Sequence, residues 1–255
     1  MNMKKYIAEF IGVFILSIAV LASSAISAPA ALVAGLALIM IVAVIGNISG
    51  AHVNPAMTLS IWSLRKISWQ DALFYILAQF AGAALATIVA HVFQINVALP
   101  TTLSWVTFGA EVIGAAIFAF GVASVVLKLE NQRYAPLTVG GSLALGSIVA
   151  AALGSHGILN PAVAFGIGSF GVSYVFGPIV GALIGMWAYK AISAPVYSSV
   201  AAAACPLCGT TTCGGTCAVA GHGSTCTCKG TDYQTCGDGK NPQKCGVCNT
   251  CKVGK

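Results

Sequence analysis

Asn-Pro-Ala occurs twice in this chain, as Asn54-Pro55-Ala56 within SGAHVNPAMT and as Asn160-Pro161-Ala162 within GILNPAVAFG. Asn is a favoured N-cap, and Pro suits the first helical position because its missing N–H would have no intrahelical partner there. Each box therefore predicts a helix start, and Ala56 and Ala162 let one box come close to the other. Two such starts meeting in a low-dielectric medium place two partial positive charges, each about half a unit, on one spot. Each Asn keeps side-chain N–H groups to offer as well. This is chemistry for exchanging hydrogen bonds with a neutral polar molecule and for repelling a cation, not for breaking a covalent bond. A second set of reactive residues lies far downstream. All ten cysteines (Cys205, Cys208, Cys213, Cys217, Cys226, Cys228, Cys236, Cys245, Cys248 and Cys251) follow Ala204. Upstream of them the His and acidic residues show no nucleophile or metal spacing, so catalysis is not expected.

The medium follows from composition. The 255 residues are 58% hydrophobic and 7% charged, against about 25% charged in an ordinary soluble domain. Too little polar surface is left to cover a water-soluble globule, so the solvent must be largely lipid. Six apolar segments are long enough to span a bilayer: 6–27, 31–48, 71–95, 106–127, 135–153 and 171–192. Two shorter apolar pieces, Asn54–Leu64 and Asn160–Ser169, cover about half a bilayer each and predict re-entrant half-helices. A cleavable leader is not expected, because the first apolar run spans by itself and has a counterpart later in the chain.

Charge fixes the expected orientation. With six spans, one set of loops comprises the N-terminus, 49–70, 128–134 and everything after 192. Lys4, Lys5, Arg65, Lys66, Lys128 and Arg133 all lie there, and Lys190 sits in the last turn of span six. The opposite loops, 28–30, 96–105 and 154–170, carry no Lys or Arg. The positive-inside rule then puts both termini in the cytoplasm. The halves also repeat: AEFIG at 8–12 matches AEVIG at 110–114, residues 35–56 resemble 141–162, and FAGAALA at 80–86 faintly matches 179–185. Three spans per half make the second half insert upside down, so a site is expected near the midplane where the broken helices meet. Gly12, Gly35, Gly82, Gly114 and Gly181 read as close helix contacts.

Residues 1–194 resemble the aquaporin, or major intrinsic protein, family. The stretches AEFIG, SGAHVNPAMT, AQFAGA, AEVIG and the second Asn-Pro-Ala carry the resemblance. It implies an all-α membrane fold of six transmembrane helices and two half-helices in an inverted repeat. It also implies a homotetramer with one pore per subunit, and passage of water and other small neutral solutes, without a cofactor for transport and without nucleic acid. The resemblance further implies that Glu9 and Glu111, at equivalent sites of the two halves, hold loop backbone near the half-helices; His52 is expected to brace the first loop. The family's second box usually continues with Arg, whereas this chain has Val163. The resemblance places the other outer-constriction positions at Ala34, Ser147 and Gly157, all small, which implies a wide and relaxed filter. His156 either lines the outer mouth or is solvated, and His91 is expected at an interface or packed. The plasma membrane is the expected location.

The tail divides off by composition: 1–194 as the membrane domain, 195–204 as a linker and 205–255 as the Cys-rich part. In a reducing cytoplasm the C-x-x-C pairs Cys205/Cys208 and Cys245/Cys248 favour thiolate metal sites, with Zn²⁺ first and His222 as a further ligand. Five disulfides are the alternative in an oxidising compartment. A different function stands beside the channel: a metal-responsive membrane protein in which the tail carries the main role.

Overall fold

The computed structural model describes residues 3–95, 99, 101–127 and 132–202, and the tail residues 226–227, 235–236, 243–244 and 252–253, with backbone alone beyond 193. Helices α1 (Met3–Ala25), α2 (Ala30–Ser49), α4 (Trp69–Val92), α5 (Trp105–Val126), α6 (Ala135–Ala152) and α8 (Val172–Ala202) are long and apolar enough to cross a membrane; α3 (Pro55–Ser63) and α7 (Pro161–Gly166) are short. The six expected spans and the two half-helices are thus all present as helices. Their outer faces expose apolar side chains, with Leu36 and Ile88 more than half accessible, an arrangement stable only against lipid.

Helix ends follow local chemistry. Ser68 caps α4 by accepting from Asp71 N at 3.1 Å, and Ser104 caps α5 by accepting from Thr107 N at 3.3 Å. Pro136 sits in the first turn of α6, where its missing N–H costs nothing. α8 continues beyond 192 through Ala202, so most of the stretch read as a linker is helical backbone. The chain divides into two compact units, Met1–Ala191 and Ile192–Lys255. In the second, four two-residue strands form two antiparallel ladders, β1 (Cys226–Thr227) with β4 (Lys252–Val253) and β2 (Thr235–Cys236) with β3 (Gln243–Lys244). Cys226 pairs with Val253 and Cys236 with Gln243, so neither lies opposite a cysteine. The other eight cysteines and His222 lie outside the described residues.

In the first unit α1 packs on α2 and α4, α5 packs on α6, and α2 against α6 joins the halves. Glycine sets these distances. A Cβ on Gly82 would run into the Phe10 carbonyl of α1, and one on Gly181 into the Val112 carbonyl of α5. These are the same contact made once in each half. The α2–α6 crossing is symmetric in itself. A Cβ on Gly35 would meet Ala144, and one on Gly140 would meet Ile39, so residues 35 and 39 correspond to 140 and 144, an offset of 105. Gly12 and Gly114 lie against the loops that precede the half-helices, facing Val53 and Leu159.

Gly82→Ala should lower the apparent melting temperature in detergent by several degrees, because forcing a methyl into this contact costs roughly 1–3 kcal/mol. Gly109→Ala, which meets nothing within 4 Å, should leave it unchanged or higher. Equal melting temperatures for the two variants would contradict the packing argument.

Candidate pore

Each half-helix starts at its Asn. The Asn54 side chain accepts from Ala56 N at 2.8 Å; that of Asn160 accepts from Ala162 N at 3.0 Å and Val163 N at 3.3 Å. The remaining amide group crosses to the other half. Asn54 Nδ2 donates to the Leu159 carbonyl and Asn160 Nδ2 to the Val53 carbonyl, both at 2.9 Å. Each Asn thus caps its own helix and fastens the residue preceding the other Asn.

Those preceding carbonyls are aimed by uncommon backbone. Val53 (φ 39°) and Leu159 (φ 52°) are left-handed, as are Ala51 (φ 50°) and Gly157 (φ 64°). A left-handed non-glycine residue costs about 1–2 kcal/mol, so something must hold these loops. In the first half it is Glu9, fully buried on α1. Its carboxylate accepts from Ser49 Oγ (2.7 Å), His52 N (3.0 Å), Val53 N (2.7 Å) and Gln79 Nε2 (2.8 Å). In the second half Glu111, equally buried on α5, accepts from Ser155 Oγ, Ile158 N (3.0 Å) and Leu159 N (2.8 Å). The partners correspond one to one, 49 to 155, 52 to 158 and 53 to 159, at an offset of 106. The helices α2 and α6 are related by 105, so the second half carries one extra residue. It is absorbed in the Leu153–Gly154 turn, where α6 has already ended while α2 runs through Ser49. The sequence match of 35–56 to 141–162 therefore holds for the loops but is one residue out along the helices.

The first network is larger. Gln79 Nε2 also donates to Thr58 Oγ1 at 2.9 Å, Thr58 Oγ1 lies 3.3 Å from His52 Nδ1, and Tyr75 OH donates to the Ser49 carbonyl at 2.6 Å. Ser49, Thr58, Tyr75 and Gln79 were not anticipated as loop supports. The available signal was a Gln in the middle of an apolar span, which hydrocarbon tolerates only if it is bonded.

A cavity lies at the two Asn residues. Asn54, Asn160 and His52 supply its polar wall; Leu16, Val20, Leu38, Phe118, Leu143 and Ile158 supply much of the apolar wall, which the sequence did not single out. Ala34 and Val163 also face it. Gly157 packs against the Ser147 backbone, and neither belongs to the lining. His52 therefore both braces the loop and faces the cavity. His156 is exposed, with Nδ1 2.9 Å from Tyr174 OH, and His91 is exposed in the last turn of α4. Among the described residues no group of three or more His, Cys, Asp or Glu could hold a metal ion.

Six helices long and apolar enough to span a membrane, with a cavity where two half-helices meet, are the architecture of a membrane channel. Residues 1–189 match the family described as Major intrinsic protein, and the chain belongs to that family. It is 34% identical over 218 residues to Glycerol uptake facilitator protein-like 6 of Lactiplantibacillus plantarum, covering 80% of this chain and 96% of that one. It is 31% identical over 213 residues to Aquaporin NIP1-1 of Zea mays, covering 74% of each. Among solved structures, the aquaglyceroporin from Plasmodium falciparum shares the fold with a TM-score of 0.60 at 21% identity, over 78% of this chain and 100% of that one. Channels of this family conduct water and small solutes passively, need no cofactor for transport and are not enzymes.

Glu111→Gln should destabilise the protein. The new NH₂ group faces the Ile158 or Leu159 N–H, and a buried donor left unbonded costs roughly 1–3 kcal/mol. The expected result is a clear fall in melting temperature in detergent, with a smaller fall for Ser155→Ala. An unchanged midpoint for Glu111→Gln would remove the carboxylate from its role as loop anchor.

Proposed function

We propose that this chain conducts water and other small uncharged solutes through one pore per subunit, with the paired Asn54 and Asn160 boxes at its centre and a relaxed outer constriction. The carrying observation is the reciprocal bonding of the two Asn residues beside the cavity. Two helix N-termini there direct partial positive charge inward, against cations and hydronium. Each NH₂ uses one N–H on the opposite loop, which leaves its second for a passing molecule. Val163 supports the relaxed filter: it presents an isopropyl group to the cavity, in place of a fixed cation with several donors. Ala34 adds only a methyl group to the same wall, and Ser147 and Gly157, packed on each other, bring no bulky side chain near it. The chain assembles as a homotetramer in the plasma membrane with both termini in the cytoplasm. Support for the orientation is the distribution of Lys and Arg between the two sets of loops.

Reconstituted full-length protein should speed osmotic water flow into liposomes with a low activation energy, and should admit a glycerol-sized solute. Val163→Arg restores a cation and donors at the wall, so solute uptake should fall by on the order of tenfold relative to water, a barrier increase of about 1.4 kcal/mol. Stopped-flow swelling and shrinking measure both. Water flux equal to that of empty liposomes with inserted protein would sink the channel reading. An unchanged solute-to-water ratio would move the filter away from Val163.

The C-x-x-C spacing of Cys205/Cys208 and Cys245/Cys248 supports a zinc-binding, metal-responsive tail on this channel. Full-length protein isolated with thiols blocked at lysis should carry few disulfides by mass spectrometry. With free thiols it should bind about two Zn²⁺, at four ligands per structural site. Finding most cysteines already paired would overturn both the metal reading and the cytoplasmic placement.

A further inference from the structure

The two half-helices end with the same backbone closure, built from different residues. After α7, Gly168 N donates to the Phe165 carbonyl (3.1 Å) and Ser169 N to the Ala164 carbonyl (2.8 Å), with Gly168 left-handed at φ 74°. After α3, Arg65 N donates to the Trp62 carbonyl (2.7 Å) and Lys66 N to the Ile61 carbonyl (3.2 Å), with Arg65 left-handed at φ 59°. Glycine is the ordinary residue at this position of a helix end because it has no Cβ to strain. One half uses glycine; the other bears the strain of an arginine. The side chain placed there is exposed, and so is Lys66 beside it.

The surroundings extend this pair into a patch. Trp187 Nε1 donates to Ser63 Oγ at 3.0 Å, which ties α8 to the end of α3, and Lys190 Nζ stands 4.2 Å from the Trp187 ring centre. Trp62 and Trp187 are each nearly half exposed. Among the described residues no acid is bonded to Arg65 or Lys66: Asp71 is engaged by Lys5 Nζ at 2.7 Å and Tyr6 OH at 2.8 Å, while Glu9 and Glu111 are sealed inside. Clustered cations next to partly exposed indoles, at the edge of a lipid-facing bundle, match a ligand with an anionic head and an apolar body.

The geometry points to a binding site for the headgroup of an anionic phospholipid at the exit end of α3, formed by Arg65 and Lys66 with the indoles of Trp62 and Trp187. The inference is independent of what the pore conducts, and its test reads lipid retention, not flux.

Full-length protein in detergent is offered equal amounts of phosphatidylglycerol and phosphatidylcholine, and retained lipid is counted by native mass spectrometry. Wild type should retain phosphatidylglycerol preferentially. Arg65→Gly keeps the left-handed closure, so its melting temperature should be unchanged or higher, yet the preference should fall about fivefold per charge removed. Lys66→Gln should do the same without touching the strained residue. Equal retention of both lipids by wild type, or wild-type preference in both variants, would overturn the site. Complete displacement of phosphatidylglycerol by inorganic phosphate would also overturn it, by showing a phosphate site that ignores the lipid body.

Discussion

Two backbone carbonyls, those of Val53 and Leu159, each bind the side-chain amide of the asparagine in the other half. The cavity depends on that exchange. Hydrocarbon offers no water to bond a helix that stops halfway, so a broken helix is tolerable only where its end groups are satisfied by protein or face a wet cavity. Asn54 and Asn160 meet that demand twice over, once for their own helix and once for the opposing loop. Nearly everything else in the first unit positions these four groups.

The positioning works through two buried carboxylates and a set of glycines. Glu9 and Glu111 gather consecutive backbone N–H groups, and that gathering offsets the cost of left-handed Val53 and Leu159. Among the described residues no Lys or Arg is bonded to either group; backbone N–H, serine hydroxyl and, at Glu9, the Gln79 amide hold them. Gly12 and Gly114 then let α1 and α5 lie flat against the loops they anchor. Pseudo-symmetry is close but not complete. Gln79 and Thr58 enlarge the first network, whereas FAGAALA and its match at 179–185 put Pro178 at the place of Gln79.

The sequence made much of this legible, because a bilayer admits few solutions. Apolar length gave the spans, and Asn-Pro gave both half-helix starts to the residue. The glycines of close contact were readable from their place on apolar helices. What was not readable depended on which face of a helix turns inward. Leu16 and Phe118 line the cavity, yet nothing in a uniformly apolar span separates them from neighbours that face lipid. The sequence match of 35–56 to 141–162, made at a single offset, hid the extra residue in the second half. Its place in the Leu153–Gly154 turn emerged from the mismatch between an offset of 105 in the helices and 106 in the loops. Ser147 lies just before that turn, and the structure packs it on Gly157 without bringing it to the cavity wall.

The bonds that close the centre join residues 105 and 107 positions apart. During synthesis the first half therefore exists for some time with its asparagine amide and the Val53 carbonyl lacking their partners, at membrane depth. The centre becomes chemically complete only when residues 159–160 have been made. Until α7 arrives, Glu9 with Ser49, Tyr75, Gln79 and Thr58 holds the waiting loop, and this larger network suits the half that has to wait.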